Sequence, residues 1–103
     1  MKIEIPFNEW SKDKLDKFIK NATSRNKQYG EKGDTFDYDG VRYEIVFVAK
    51  LPLWFIAKYL FKSEGAESDV EFIEVWIGIH PRARWTPNKE VFYHYFKPIG
   101  RGV

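Results

Sequence analysis

The sequence predicts an α+β fold, a small mixed β-barrel with flanking helices. Residues 41–50 and 91–99 alternate apolar and polar side chains as strands do, and the Asp39-Gly40 pair before the first of them is a strong hairpin signal. Residues 12–21 instead carry an apolar stripe with helical spacing. Strands joined by a hairpin, with helices inserted between strands, favour a mixed barrel over a parallel sheet.

The composition indicates one folded domain, residues 1–103, that can bury a core. The chain has no cysteine, which excludes a disulfide framework, a thiolate nucleophile and a cysteine-based metal site. No apolar run approaches the roughly 20 residues of a membrane span, and Glu4 interrupts any signal-peptide core. We therefore expect a cytoplasmic protein, and the Lys- and Glu-rich composition favours a thermophilic source.

The segment before the Asp39-Gly40 hairpin turn predicts two strands and one helix. Residues 2–7 alternate and predict a first strand. Ser11 is the predicted N-cap of a helix over residues 12–21. The Gly33-Asp34 pair is a turn signal, and it predicts a strand over residues 35–38.

The C-terminal half predicts two helices before the last strand. Pro52 is suited to the first position of a helix, and residues 54–61 are nearly all apolar, as in a helix buried on most sides. Ser68 and Glu71 match a capping box at the start of a third helix, which must end before Pro81.

Lys20, Thr23 and Arg25 form the candidate functional cluster. Lys20 lies at the predicted helix end, and side chains two residues apart in an extended segment point to the same side. An ammonium, a hydroxyl and a guanidinium would then converge on one cavity. The alternative is an ordinary polar connection between helix and strand, in which the helix dipole favours the lysine.

The order of these residues resembles the ASCH family (activating-signal-cointegrator homology) of the PUA-like superfamily. Its members are small β-barrels with flanking helices, so the resemblance implies a PUA-like barrel here. Their signature is a helix ending in Gly-x-Lys-Thr-x-Thr-x-Arg, then a Gly-Asp pair that opens a strand, and later a Glu-Gly step. The matching positions are Lys20, Thr23, Arg25, Gly33-Asp34 and Glu64-Gly65.

Two residues depart from the signature. Phe18 stands where the family usually has glycine, and Asn21 stands in place of the first threonine. Both substitutions would alter how the helix ends and how the pocket opens. They bear on activity more than on fold.

The resemblance implies an RNA- or nucleotide-binding module, because PUA-like domains commonly bind RNA. The expected partner is RNA or a modified nucleoside. The candidate ligand-binding residues are Lys20, Arg25, Arg82, Arg84 and Trp85. Basic side chains can follow phosphates while an aromatic ring stacks on an unpaired base. The formal net charge of only +2 equally fits ordinary solvated charge.

The alternative that the resemblance implies is an amidohydrolase. Some bacterial ASCH members resemble enzymes that remove acyl groups from N4-acetylcytidine, with a catalytic set that corresponds to Lys20, Thr23 and Glu64. A lysine can activate a threonine hydroxyl only if burial or a neighbouring cation, here Arg25, lowers its pKa. A glutamate can pass a proton to the leaving amine.

Other kinds of site find little support in the sequence. No cofactor motif is present, and His80 and His94 have no cysteine partners, which argues against a metal site. We expect the two rings to serve as a helix cap and a packed side chain. A purely structural interaction domain is a third possibility that no residue recommends.

Overall fold

The computed structural model describes residues 1–102, which form one antiparallel sheet and three helices. In chain order the elements are α1 (Glu9–Asp16), β1 (Ala22–Arg25), β2 (Thr35–Tyr38), β3 (Val41–Pro52), α2 (Leu53–Tyr59), α3 (Asp69–Ile79) and β4 (Glu90–Arg101). The strand order is β1-β4-β3-β2. The α+β prediction is confirmed. Within residues 1–102, the edge strands β1 and β2 share no ladder, so the sheet is a curled half-barrel, and the predicted closure into a barrel is not confirmed.

The two long central strands explain the curl of the sheet. β3 and β4 pair along their whole length, with register shifts between Arg42 and Tyr43 and between Ile45 and Phe47. A β-bulge bends its strand and increases the local twist, so these shifts curl the sheet. None of the helices within residues 1–102 combines the length and the apolar character that crossing a lipid bilayer requires.

The predicted hairpin is confirmed. Tyr38 pairs with Val41, and the two residues between them have positive φ, 48° at Asp39 and 77° at Gly40. A two-residue turn of type I′ requires positive φ at both positions, which aspartate and glycine tolerate best.

The N-terminus differs from the prediction. Residues 2–7 form no strand; only Lys2 makes an isolated parallel bridge, with Thr35. The first helix begins earlier than predicted, because Asn8 is its cap: the Asn8 Oδ1 atom accepts a hydrogen bond of 2.8 Å from the Ser11 N–H. Asparagine and serine are about equally favoured as caps, so the sequence alone could not choose between them.

The first helix also ends earlier than predicted, so Lys20 lies in the short connection between α1 and β1. Phe18 has a φ of 57°, the left-handed conformation that commonly ends a helix and that glycine adopts most easily. The N–H groups of Ile19 and Lys20 both donate to the Lys14 carbonyl oxygen, at 2.9 and 3.3 Å. The chain then leaves the helix and enters β1.

The third helix begins as predicted. The Ser68 Oγ atom accepts from the Glu71 N–H at 3.1 Å, and the Glu71 carboxylate accepts from the Glu67 N–H at 3.0 Å. The helix stops at Ile79, before Pro81. Phe72 and Trp76 of this helix are buried in a core cluster that it shares with α2 and the sheet.

Candidate functional site

A cavity of about 460 Å³ opens between β1 and α3. Its polar wall includes Lys20, Thr23, Ser24, Arg25 and Glu64, and its aromatic wall includes Trp10, Tyr29, Phe72 and Trp76. The structure therefore brings together Lys20, Thr23 and Arg25, which the sequence predicted to converge on one cavity, and it places Glu64, which the ASCH resemblance implied, in the same wall.

The strand β1 sets the positions of Thr23 and Arg25. As strand alternation predicts, the two side chains lie on the same side, and the Arg25 Nε–H donates to the Thr23 Oγ1 atom at 3.0 Å. A charged donor on the hydroxyl oxygen stabilises any negative charge that develops there. It also leaves the Thr23 hydroxyl proton free for another acceptor.

The loop after α2 brings Glu64 to Lys20. The N–H groups of Asn21 and Ala22 both donate to the Ser63 carbonyl oxygen at 2.8 Å, which docks the loop against the start of β1. Gly65 makes the close approach possible. Its φ is 99°, and a Cβ atom there would lie only 3.2 Å from the Lys20 Cβ atom. The Glu-Gly step therefore has a steric reason.

Lys20, Glu64 and Ser24 form a buried polar cluster. The Lys20 Nζ atom donates to the Glu64 carbonyl oxygen at 2.9 Å and lies 3.5 Å from the Glu64 Oε1 atom. The Ser24 hydroxyl donates to the Glu64 Oε2 atom at 2.7 Å. Only 5% of Lys20 and 4% of Glu64 are exposed, so each charge depends on the other groups of the cluster for its stabilisation.

Burial lowers the pKa of Lys20, and the positive charge of Arg25 acts in the same direction against the opposing effect of Glu64. A lowered pKa is what a lysine needs to act as a base near neutral pH. Within residues 1–102, however, no hydrogen bond joins the Lys20 Nζ atom to the Thr23 hydroxyl. The direct partner of that hydroxyl is Arg25.

Two aromatic rings hold the Arg25 guanidinium. Its central carbon lies 5.2 Å from the ring centroid of Phe7 and 5.3 Å from that of Tyr29. Its Nη2 atom donates to the Pro6 carbonyl oxygen. Burial lowers the pKa of Arg25 and the neighbouring Tyr29 opposes this effect, but an arginine remains charged throughout the physiological range.

His94 ties three parts of the site together. Its Nε2 atom accepts a hydrogen bond of 3.0 Å from the Tyr29 N–H, so in the neutral ring the proton lies on Nδ1, which donates to the Thr23 carbonyl oxygen at 3.2 Å. The ring is fully buried, and this burial lowers its pKa. His94 is thus a packed, hydrogen-bonded ring, as expected. Residues 1–102 contain no group of three or more potential metal ligands among His, Cys, Asp and Glu.

The structure does not bring the second predicted basic group into the cavity. Arg82 and Arg84 are exposed in the loop after α3, and Trp85 is half-buried against the core. The neighbouring His80 does line the cavity, where it stacks on Trp76 with ring centroids 4.1 Å apart.

Sequence reasoning missed several residues of the wall. Ser24 occupies a variable position of the ASCH signature, and nothing in its own neighbourhood indicates that it binds Glu64. Trp10 and Trp76 lie on helices whose aromatic residues suit a core equally well. His80 follows Trp76 by four residues, and helical spacing puts two such residues on the same face, so the sequence could have predicted that His80 lies beside Trp76.

Comparison with known proteins identifies the fold. No family model matches the chain, and no curated protein matches it. Among solved structures, it is similar to the ASCH domain from Lactobacillus crispatus JV V101, with a TM-score of 0.64 and 15% identity over 94% of this chain and 77% of that one. It is also similar to a DUF984 protein of Enterococcus faecalis V583, with a TM-score of 0.65 and 14% identity over 98% of this chain and 80% of that one. The chain therefore has the fold of an ASCH domain.

Proposed function

We propose that this ASCH-fold domain binds RNA or a modified nucleoside, with one nucleoside unit in the cavity between β1 and α3. The observation that carries the proposal is the pairing of aromatic walls with a buried polar cluster in one cavity. The volume of about 460 Å³ suits a ligand of nucleoside size. Aromatic side chains can stack on a base, and the polar groups can recognise its edge or the sugar.

The buried charges support a binding role over a purely structural one. Replacing a buried ion pair by apolar residues is often neutral or stabilising, so Lys20 and Glu64 are a weak source of stability. Their place in the wall of an open cavity is better accounted for by a polar ligand.

Longer RNA would extend beyond the cavity along the loop after α3. Arg82 and Arg84 follow His80 of the wall and are exposed, which suits contacts with neighbouring phosphates. Trp85 packs on the core with one part of its surface, and only the remainder is accessible to a base.

Titration of the purified protein with the four ribonucleosides and with short single-stranded RNAs, followed by NMR, tests the proposal. We expect saturable shifts at residues of the cavity wall. Thr23→Val removes the wall hydroxyl at almost constant volume and should weaken binding. Thr35→Val makes the same change on β2, outside the wall, and should not. Absence of saturable binding by both nucleosides and RNA at low salt would contradict the proposal.

A second candidate function is the deacylation of an acylated exocyclic amine, as in N4-acetylcytidine. The specific observation in its favour is the hydrogen bond from the Arg25 Nε–H to the Thr23 hydroxyl, next to a lysine whose pKa burial lowers. The Thr23 hydroxyl would give its proton to the neutral Lys20 amine as its oxygen attacks the acyl carbon, and Arg25 would stabilise the tetrahedral oxyanion. The C–N bond would break as the amine gains a proton by way of Glu64, and water would then hydrolyse the acyl ester of Thr23.

Release of cytidine and acetate from N4-acetylcytidine measures this activity. Thr23→Val and Lys20→Met should each remove most of it, because members of a catalytic set act as a unit. Lys20→Arg should fail as well, since an arginine cannot act as a base at neutral pH. Full activity in Thr23→Val would rule out the threonine as nucleophile.

A further inference from the structure

The Arg25 side chain is held in a fixed position, but its protein contacts do not occupy all of its N–H donors. A guanidinium carries five N–H donors, and here one donates to Thr23 and one to the Pro6 carbonyl oxygen. Within residues 1–102, the group forms no other hydrogen bond except with the neighbouring Tyr29 side chain, and no carboxylate lies within 4.0 Å of it. The rings of Phe7 and Tyr29 meanwhile restrict its motion.

Positive charge is in excess at the same end of the cavity. Within residues 1–102, the wall of the cavity contains the cations Lys20, Arg25 and Lys27 but only one carboxylate, that of Glu64. That carboxylate is already bound by Lys20 and by Ser24. Arg25 and Lys27 are therefore left without a counter-charge in the wall, and both lie beside the Tyr29 ring, the Lys27 Nζ atom at 4.8 Å from its centroid.

We infer that the ligand carries a phosphate group, bound by the free edge of the Arg25 guanidinium with Lys27 beside it. This inference rests on the proposed nucleoside-binding function and adds the chemical class of the ligand: a nucleoside monophosphate, or the phosphorylated end of an RNA. The planar fork of an arginine matches two phosphate oxygens. Because the side chain is already fixed by Thr23, Pro6 and the two rings, little conformational entropy is lost on binding.

Calorimetry on the wild-type protein with ribonucleosides, their 5′-monophosphates and inorganic phosphate tests the inference. We expect each preferred monophosphate to bind about tenfold or more tightly than its nucleoside, the gain typical of hydrogen bonds to a charged group. Its affinity should fall as salt rises, while that of the nucleoside should not. Equal affinities and equal salt dependence would overturn the inference and leave the proposed function standing. Failure of nucleosides, monophosphates and short RNAs alike would overturn the proposed function itself.

Variants of Arg25 locate the phosphate. Arg25→Gln should abolish the preference for monophosphates over nucleosides, while Arg25→Lys should keep only part of that preference. The matched control is Arg101→Gln, an exposed residue on β4, roughly 30 Å along the strand from the partner of Arg25. A preference that survives Arg25→Gln in a folded protein would overturn the inference.

Two further probes separate the sources of the phosphate. Short RNAs with and without a 5′-phosphate should differ in affinity if the natural ligand is an RNA end. If only free monophosphates show the effect, the ligand is a mononucleotide. Both results support the phosphate site, whereas binding of all the probes with the affinity of inorganic phosphate would reduce the cavity to a simple anion site and overturn the inference.

Discussion

Glu64 is the residue on which the electrostatics of the cavity depend. It is the negative partner of Lys20 and the acceptor for Ser24, and it is 4% exposed. Removing one partner of a buried ion pair leaves the other charge without compensation, which is costly. We expect Glu64→Gln to lower the free energy of unfolding by about 3 kcal/mol in urea denaturation.

A double-mutant cycle separates this effect from simple loss of packing. The double variant Lys20→Met/Glu64→Gln should lose much less unfolding free energy than the sum of the losses in the two single variants, since it contains no uncompensated buried charge. The surface pair Lys17–Asp13, at 3.1 Å with both side chains more than half exposed, is the control, and Asp13→Asn should cost less than about 1 kcal/mol. Strict additivity of the two cavity changes would show that the pair is not coupled.

His94 predicts how stability depends on pH. Its burial lowers the pKa in the folded state below the ordinary value of 6.5. Between the two values the unfolded chain binds more protons, so the stability contributed by the neutral ring is complete above about pH 6.5 and is lost as the pH falls towards the folded-state pKa. We expect the free energy of unfolding to fall in this range by up to about 1.4 kcal/mol per pH unit.

The variant that tests this prediction is His94→Gln, whose amide does not titrate. Its free energy of unfolding should be lower than that of the wild type at pH 7 but should vary less between pH 6.5 and pH 5. A slope as steep as that of the wild type would assign the pH dependence to other groups. Asp37 does not titrate between pH 6.5 and pH 5, because hydrogen bonds from Arg42 and, to a lesser extent, from Lys2 lower its pKa to about 2.

At the scale of elements, the end of α1 carries strain that the ASCH signature avoids. Phe18 has a φ of 57° and is 67% exposed, so its side chain contributes little burial to offset the conformation. A left-handed conformation costs a non-glycine residue roughly 1–2 kcal/mol. We expect Phe18→Gly to raise the free energy of unfolding by about 1 kcal/mol, because it removes this strain. The gain is not larger because glycine loses more conformational entropy on folding than other residues do.

Phe18→Ala is the matched control for this change. Alanine removes the same ring but keeps the Cβ atom, and with it the strain, so its stability should stay close to that of the wild type. Equal gains in both variants would mean that the ring, and not the backbone conformation, is the source of the instability. Thermal and urea denaturation of the three proteins decide between these results.

The elements also show what the sequence can and cannot predict. The Asp39-Gly40 hairpin and the Ser68 cap depend on the conformations of a few adjacent residues, and both were predicted correctly. The side shared by Thr23 and Arg25 follows from strand alternation alone. Residues 2–7 were predicted as a strand because they alternate, but pairing depends on which partner edge is within reach.

At the scale of the whole molecule, the cavity is a product of topology. β1 pairs with β4, the last strand of the chain, and the loop carrying Glu64 docks on the start of β1. Contacts between segments this distant in sequence leave no local pattern. The bond from Ser24 to Glu64 and the place of Trp76 in the wall therefore became visible only in the folded chain.

Phe7 links the stability of the molecule to the site, and a last prediction follows from this position. Its ring lies 6.0 Å from that of Phe36 and 6.4 Å from that of Phe96 in the core, and also 5.2 Å from the Arg25 guanidinium. Phe7→Leu keeps apolar volume but removes the ring that faces the cation. We expect a loss of stability below about 1.5 kcal/mol in urea denaturation. Calorimetry should nevertheless show weaker binding of monophosphates, because Arg25 is less firmly held.

Phe36→Leu, a similar change to a core ring that does not contact Arg25, should affect stability without changing the preference for monophosphates over nucleosides. Equal effects of the two variants on that preference would show that the fixed position of Arg25 does not depend on Phe7.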